Sequence, residues 1–126
     1  MSEKAKILNP GEGLDETLGM KLAKEYFGGF VRVKQSSITI TNVTVPIVQN
    51  NPDRIGLEII NNSALAVEVG FTADTSATEG VVLSASGGAF ILKFRDDGQG
   101  CGNQVFGFGA VGGSSLTIIE TILWGK

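Results

Sequence analysis

The chain has no histidine. That removes Ser/His and Cys/His nucleophile pairs, the usual general base and the commonest transition-metal ligand together. It has one cysteine, Cys101, so no disulfide can form within the chain, and the glycine-lined run around it fits neither zinc nor thiol-redox spacing. Charge is sparse, at 18% of residues with a net of -3 and no Lys/Arg cluster. Phosphate binding needs closely spaced cations, so nucleic acid is not an expected partner. Nowhere do about eighteen apolar residues run together, and no membrane span is expected. The opening Met-Ser-Glu-Lys-Ala-Lys has lysines but no apolar stretch behind them, which gives the expectation of a protein made in a cytosol. A single Trp (Trp124) and a single Tyr (Tyr26) fall short of the exposed rings with which carbohydrate-binding modules stack on sugars.

What the chain does have is apolar residues and glycine. At 126 residues and 42% hydrophobic it suits one domain that folds without metal or disulfide staples. Its 18 glycines punctuate short apolar runs, mostly in the second half, and such frequent turns imply strands. Charge density changes near residue 34: the first 34 residues hold six cations and five anions, the remaining 92 only four and eight. Within the first part Leu14, Leu18, Leu22 and Tyr26 recur at intervals of four, with Met20 and Phe27 beside them, and this spacing predicts one amphipathic helix. Asp15 and Glu16 suit its start and the Gly28-Gly29 pair its end. Its polar face mixes acids with lysines, where a membrane binder would be basic, so it is expected to pack on protein. The reading divides the chain into an extended arm (1–13), the helix (14–29) and a β domain (30–126).

From Phe30 onward the period is two. Ile38 and Ile40 alternate with threonines, the phase slips at Asn42, and Val43, Val45 and Ile47 resume it, with Pro46 marking an edge. Residues 54–60 carry Ile55, Leu57 and Ile59 on one face, and residues 64–70 carry Leu65, Val67 and Val69, followed by Phe71. The short Asn61-Asn62-Ser63 connection predicts that these two segments form a hairpin. Further strands are expected at 80–83, 89–95 (Phe90, Leu92 and Phe94 alternating with Lys93 and Arg95), 104–108 and 116–124, with a flexible turn at 96–102. Seven or so short, regularly spaced strands predict a mainly β fold, a single antiparallel β-sandwich or β-barrel preceded by the helix. Leu57, Val67, Val69, Phe90, Leu92 and Ile118 are its expected core.

Signals for chemistry are thin. Glu58 and Glu68 fall at exposed positions of the expected hairpin and read as solvent-facing residues, not an acid/base pair. Glu120, among apolar neighbours, is the one carboxylate expected to be partly buried, ion-paired with Arg54 or Arg95. Gly107-Phe-Gly109-Ala-Val-Gly112 matches the dinucleotide fingerprint, but a strand and not a helix follows it. Asp96-Asp97-Gly98 lacks the further carboxylates of a calcium loop. The sequons at Asn42 and Asn61 matter only in a secreted chain. No catalytic, cofactor or metal residue is expected.

The order of parts carries a resemblance: Asn51-Pro-Asp-Arg54 ahead of an alternating strand, Asn61-Asn-Ser63, Val67-Glu-Val-Gly70-Phe71, a polar loop, Gly80-Val-Val-Leu83, Gly87-Gly88, a charged strand, and a closing strand with Glu120. Over residues 42–123 this resembles the small β-sandwich structural proteins of tailed bacteriophages, including capsid decoration (cement) proteins. The resemblance implies a virion protein, made in the bacterial cytoplasm, often a homotrimer, that clamps major capsid subunits; a tail, baseplate or fibre-attachment component is the nearest rival, and a carbohydrate-binding module a rival from another class. The helix-bearing N-terminus departs from the bare sandwich. Its apolar residues Ile7, Leu8, Leu14, Leu18, Leu22 and Tyr26 are the candidate contacts to the major capsid protein or other virion subunits.

Overall fold

Alternating apolar residues between frequent glycines leave the chain one economical solution, strands that each bury one face. A computed structural model describes residues 30–124. The expected arm and helix, with Ile7, Leu8, Leu14, Leu18, Leu22 and Tyr26, lie outside the described residues. Residues 33–122 form one compact unit.

Among the described residues eight strands follow one another: β1 (Phe30–Ile40), β2 (Val45–Val48), β3 (Arg54–Asn61), β4 (Val67–Gly70), β5 (Val81–Leu83), β6 (Ala89–Lys93), β7 (Val105–Phe108) and β8 (Ser114–Trp124). A four-residue helix, α1 (Phe94–Asp97), and a 3-10 turn (Gly98–Gly102) separate β6 from β7. The strands form two four-stranded sheets, in the orders β1-β8-β3-β6 and β2-β7-β4-β5. First therefore pairs with last, second with seventh, third with sixth and fourth with fifth, as in a long antiparallel ribbon rolled up on itself. This is jelly-roll topology, one of the ways in which an all-β chain limits its open edges. The described fold is thus mainly β and a sandwich, with six buried residues of the first sheet (Ile40, Leu57, Ile59, Leu92, Leu116, Ile118) meeting six of the second (Ile47, Val48, Val67, Val69, Leu83, Val105) in one apolar cluster.

The rolled ribbon overturns the expected hairpin. β3 hydrogen-bonds to β6 and β8, whereas β4 hydrogen-bonds to β5 and β7 in the facing sheet. Residues 61–66 cross from one sheet to the other. Consecutive strands that face each other across a core show the same alternation as strands that hydrogen-bond side by side, so periodicity could not tell them apart. The crossover also swings Leu65 outward, 61% exposed, and Phe71, past the end of β4, is 47% exposed, so neither shares the inward face of Val67 and Val69. The strand expected at 89–95 stops at Lys93, because the Asp97 carboxylate accepts a hydrogen bond from the Lys93 N–H at 2.8 Å and the chain turns into α1, which leaves Phe94 exposed. The span 96–102 is helical rather than a flexible turn.

Other expectations hold. The phase slip at Asn42 is a real break, where the chain passes from β1 to β2 in the other sheet. Pro46 lies on an edge strand beside a register shift, the kind of position where a missing N–H is tolerated. Of the expected core, Leu57, Val67, Val69, Leu92 and Ile118 are buried, and Phe90 packs against them half-buried.

Candidate functional site

Strict alternation would place Ile55 inward and Arg54 outward. The register of β3 against β8 slips between Arg54 and Gly56, and the extra residue turns the guanidinium into the fold, where Arg54 is only 2% exposed. Nε donates to the Cys101 carbonyl (2.8 Å), Nη1 to the Gln49 carbonyl (3.1 Å) and to Glu120 Oε2 (2.9 Å), and Nη2 to the Asn103 carbonyl (2.6 Å). Of the two partners open to Glu120 it is therefore Arg54 that pairs with it; Arg95 is exposed on α1. One side chain thus ties together the loop before β3, the 3-10 turn and β8.

Beside this pair the sandwich opens. β1 has eleven residues and β2 only four, so the facing sheet covers just the end of β1 that holds Ile38 and Ile40. Two and four residues back from Ile38, Ser36 and Lys34 continue the inner face and are exposed. They form one wall of a recess of about 310 Å³, with Ile47 and Val48 of β2 and the loop 49–51 opposite, and Arg54 and Glu120 at its floor. The loop amides are oriented by their oxygens. Gln49 Oε1 accepts from Gln104 Nε2 (2.8 Å), Asn50 Oδ1 from the Gln104 N–H (2.7 Å) and Asn51 Oδ1 from the Asp53 N–H (3.0 Å). No local signal marks Lys34, Ser36 or this loop as a site, because the recess arises from unequal strand lengths in different sheets.

A second surface lies at the opposite edges. Among the described residues β5 hydrogen-bonds only to β4, and β6 only to β3. Val81, Val82 and Ile91 on these strands are each more than half exposed. Phe71 meets Phe90 edge to face, at 5.9 Å between centroids, and its ring is partly exposed. Open strand edges are often blunted with charge; among the described residues Lys93 and the Asp97 cap do so at one end of β6.

Glu58 and Glu68 sit half-buried on the outer faces of different sheets, not together on a hairpin. Glu68 stands between Phe108 of β7 and Val82 of β5, and burial raises its carboxyl above the ordinary range. A carboxyl held higher in the folded than in the unfolded chain binds its proton more tightly when folded, so stability should fall as pH rises from the unfolded value to the folded one, then level off. Thermal melts across that window should show the decline in the parent and a flatter profile in Glu68→Gln.

The remaining motifs resolve into packing. A Cβ on Gly107 would stand 2.9 Å from Ile47 Cγ1 and 3.0 Å from Ile40 Cδ1, and one on Gly109 would stand 2.9 Å from Ser114 Oγ, so the dinucleotide-like glycines serve close contact in the sandwich. β8, not a helix, follows them. Asn61 of the second sequon is fully buried. Cys101 is buried too; desolvation, with Asp97 and Asp96, raises its thiol pKa against a lowering by Arg54, which makes it a poor nucleophile. Among the described residues no three His, Cys, Asp or Glu side chains gather as a metal site, and no helix is long and apolar enough to cross a membrane.

No protein-family model matches the chain, and no curated protein matches it. Among solved structures it is similar to one from Bacillus endospore appendages, disulfide-linked pili, with a TM-score of 0.45 and 13% identity over 75% of this chain and 88% of that one. It is also similar to dTDP-4-dehydrorhamnose 3,5-epimerase from Bacillus anthracis str. Ames, with a TM-score of 0.32 and 13% identity over 85% of this chain and 62% of that one. Likenesses of this strength carry no function from those proteins to this one.

Proposed function

We propose that the chain is a non-enzymatic structural protein that acts as a subunit of a larger assembly, and that the assembly is a bacteriophage particle in which it decorates the capsid. The observation that carries the reading is the open, largely apolar edge of β5 and β6, with Val81, Val82 and Ile91 facing solvent. Apolar strand edges favour pairing with another chain. The recess supports the same side of the choice: its carboxylate is already paired with Arg54, and it contains neither cysteine nor histidine. Among the described residues no aromatic ring lines it, which weighs against sugar stacking.

The full chain is expected to sediment at micromolar concentration as an oligomer, with a trimer as the expected state. Val82→Lys combined with Ile91→Lys, both at exposed positions, should shift it toward a monomer that keeps its β-sheet circular dichroism, with a melting temperature lowered only by the lost association. A monodisperse parent monomer would overturn the subunit reading. The capsid assignment is checked by the copy number of the protein in purified particles relative to the major capsid protein; recovery with tails or fibres would move it there.

A further inference from the structure

Among the described residues, the side chains that line the recess between β1 and β2 offer more hydrogen-bond donors than acceptors. The oxygens of Gln49, Asn50 and Asn51 are all engaged by N–H donors, which leaves three carboxamide NH2 groups to donate. Lys34 adds an ammonium and Ser36 a hydroxyl on the facing wall. Among the described lining residues the one carboxylate, Glu120, is paired with Arg54 at 2.9 Å, so Lys34 is the surplus charge. A donor-rich recess with one net positive charge fits a ligand that offers acceptors and a single negative charge. We infer that this recess binds a carboxylate group, held by Lys34 and the amides of Asn50 and Asn51. The group can come from a free small carboxylate or from an acidic side chain of another protein; the chemistry at the recess is the same.

The experiment is an NMR titration of the full-length protein with sodium acetate at constant ionic strength, with sodium chloride as the control, because chloride reproduces simple screening. Saturable shifts of the Asn50 and Asn51 side-chain amides are expected, with a dissociation constant on the order of millimolar. Lys34→Gln, at an exposed position and so expected to fold normally, should weaken binding about threefold or more. Gln104→Ala frees Gln49 to turn its oxygen into the recess and should weaken binding as well. Shifts that are linear and equal for acetate and chloride would overturn the inference, and so would tighter binding of inorganic phosphate than of acetate, since a dianion exceeds the single surplus charge. A short peptide with one central aspartate distinguishes the sources: affinity well above that of acetate assigns the site to a protein side chain, and equal affinity assigns it to a free carboxylate.

Discussion

Arg54→Ala is expected to destabilise the β domain by about 3–5 kcal/mol, the range for breaking a buried ion pair from one side. The substitution strands the Glu120 carboxylate, which is 8% exposed, and removes the donor from three backbone carbonyls at Gln49, Cys101 and Asn103. Glu120→Gln should cost less, since an amide oxygen still accepts from Nη1. The double variant Arg54→Met with Glu120→Leu should recover only part of the loss: apolar residues replace the charge pair well, but nothing replaces the hydrogen bonds to the three carbonyls. Denaturant unfolding of the four proteins ranks these losses. If Arg54→Ala unfolded within about 1 kcal/mol of the parent, the guanidinium would not be the tie described above.

Asn61→Asp should be as damaging although it changes no shape. Asn61 is fully buried, and Nδ2 faces the carbonyls of Leu65 (2.9 Å), Leu83 (3.1 Å) and Ser84 (3.2 Å), while Oδ1 accepts from the Ser63 N–H (2.9 Å) and hydroxyl (2.6 Å). This amide fixes the crossover from β3 to β4 against the turn after β5. Putting a carboxylate oxygen against three carbonyl oxygens loses the donor and buries a charge, for a cost of about 3 kcal/mol or more at neutral pH. The sign of the pH dependence separates this from mere disruption. The introduced carboxyl would titrate higher in the folded than in the unfolded chain, so the variant should regain stability as pH falls toward the unfolded value of about 3.9, where the neutral acid can donate. Asn61→Ala should be destabilised without that recovery. Melts of the three proteins between acid and neutral pH read the difference.

Much of the fold was legible because a strand's period is local. Leu57, Val67, Val69, Leu92 and Ile118 could be assigned to a core from alternation alone, and Glu120 could be marked as a buried acid in need of a cation because an unpaired charge among apolar residues is too costly. The absence of histidine and the glycine-punctuated runs bounded both chemistry and fold class. What period two cannot encode is the partner. A strand hydrogen-bonds equally well to either neighbour, and the rolled ribbon, not the short connection at 61–63, decided that β3 and β4 lie in different sheets. The slip that turns Arg54 inward depends on its register with β8, sixty-six residues away along the chain from Arg54 to Glu120. The recess follows from an eleven-residue strand facing a four-residue one, and its donor character from Gln104 holding the amides of the loop before β3. The sequence by itself determined which residues avoid water; the tertiary structure decided which of them meet, because pairing and register are non-local and are settled only when both sheets close on one core.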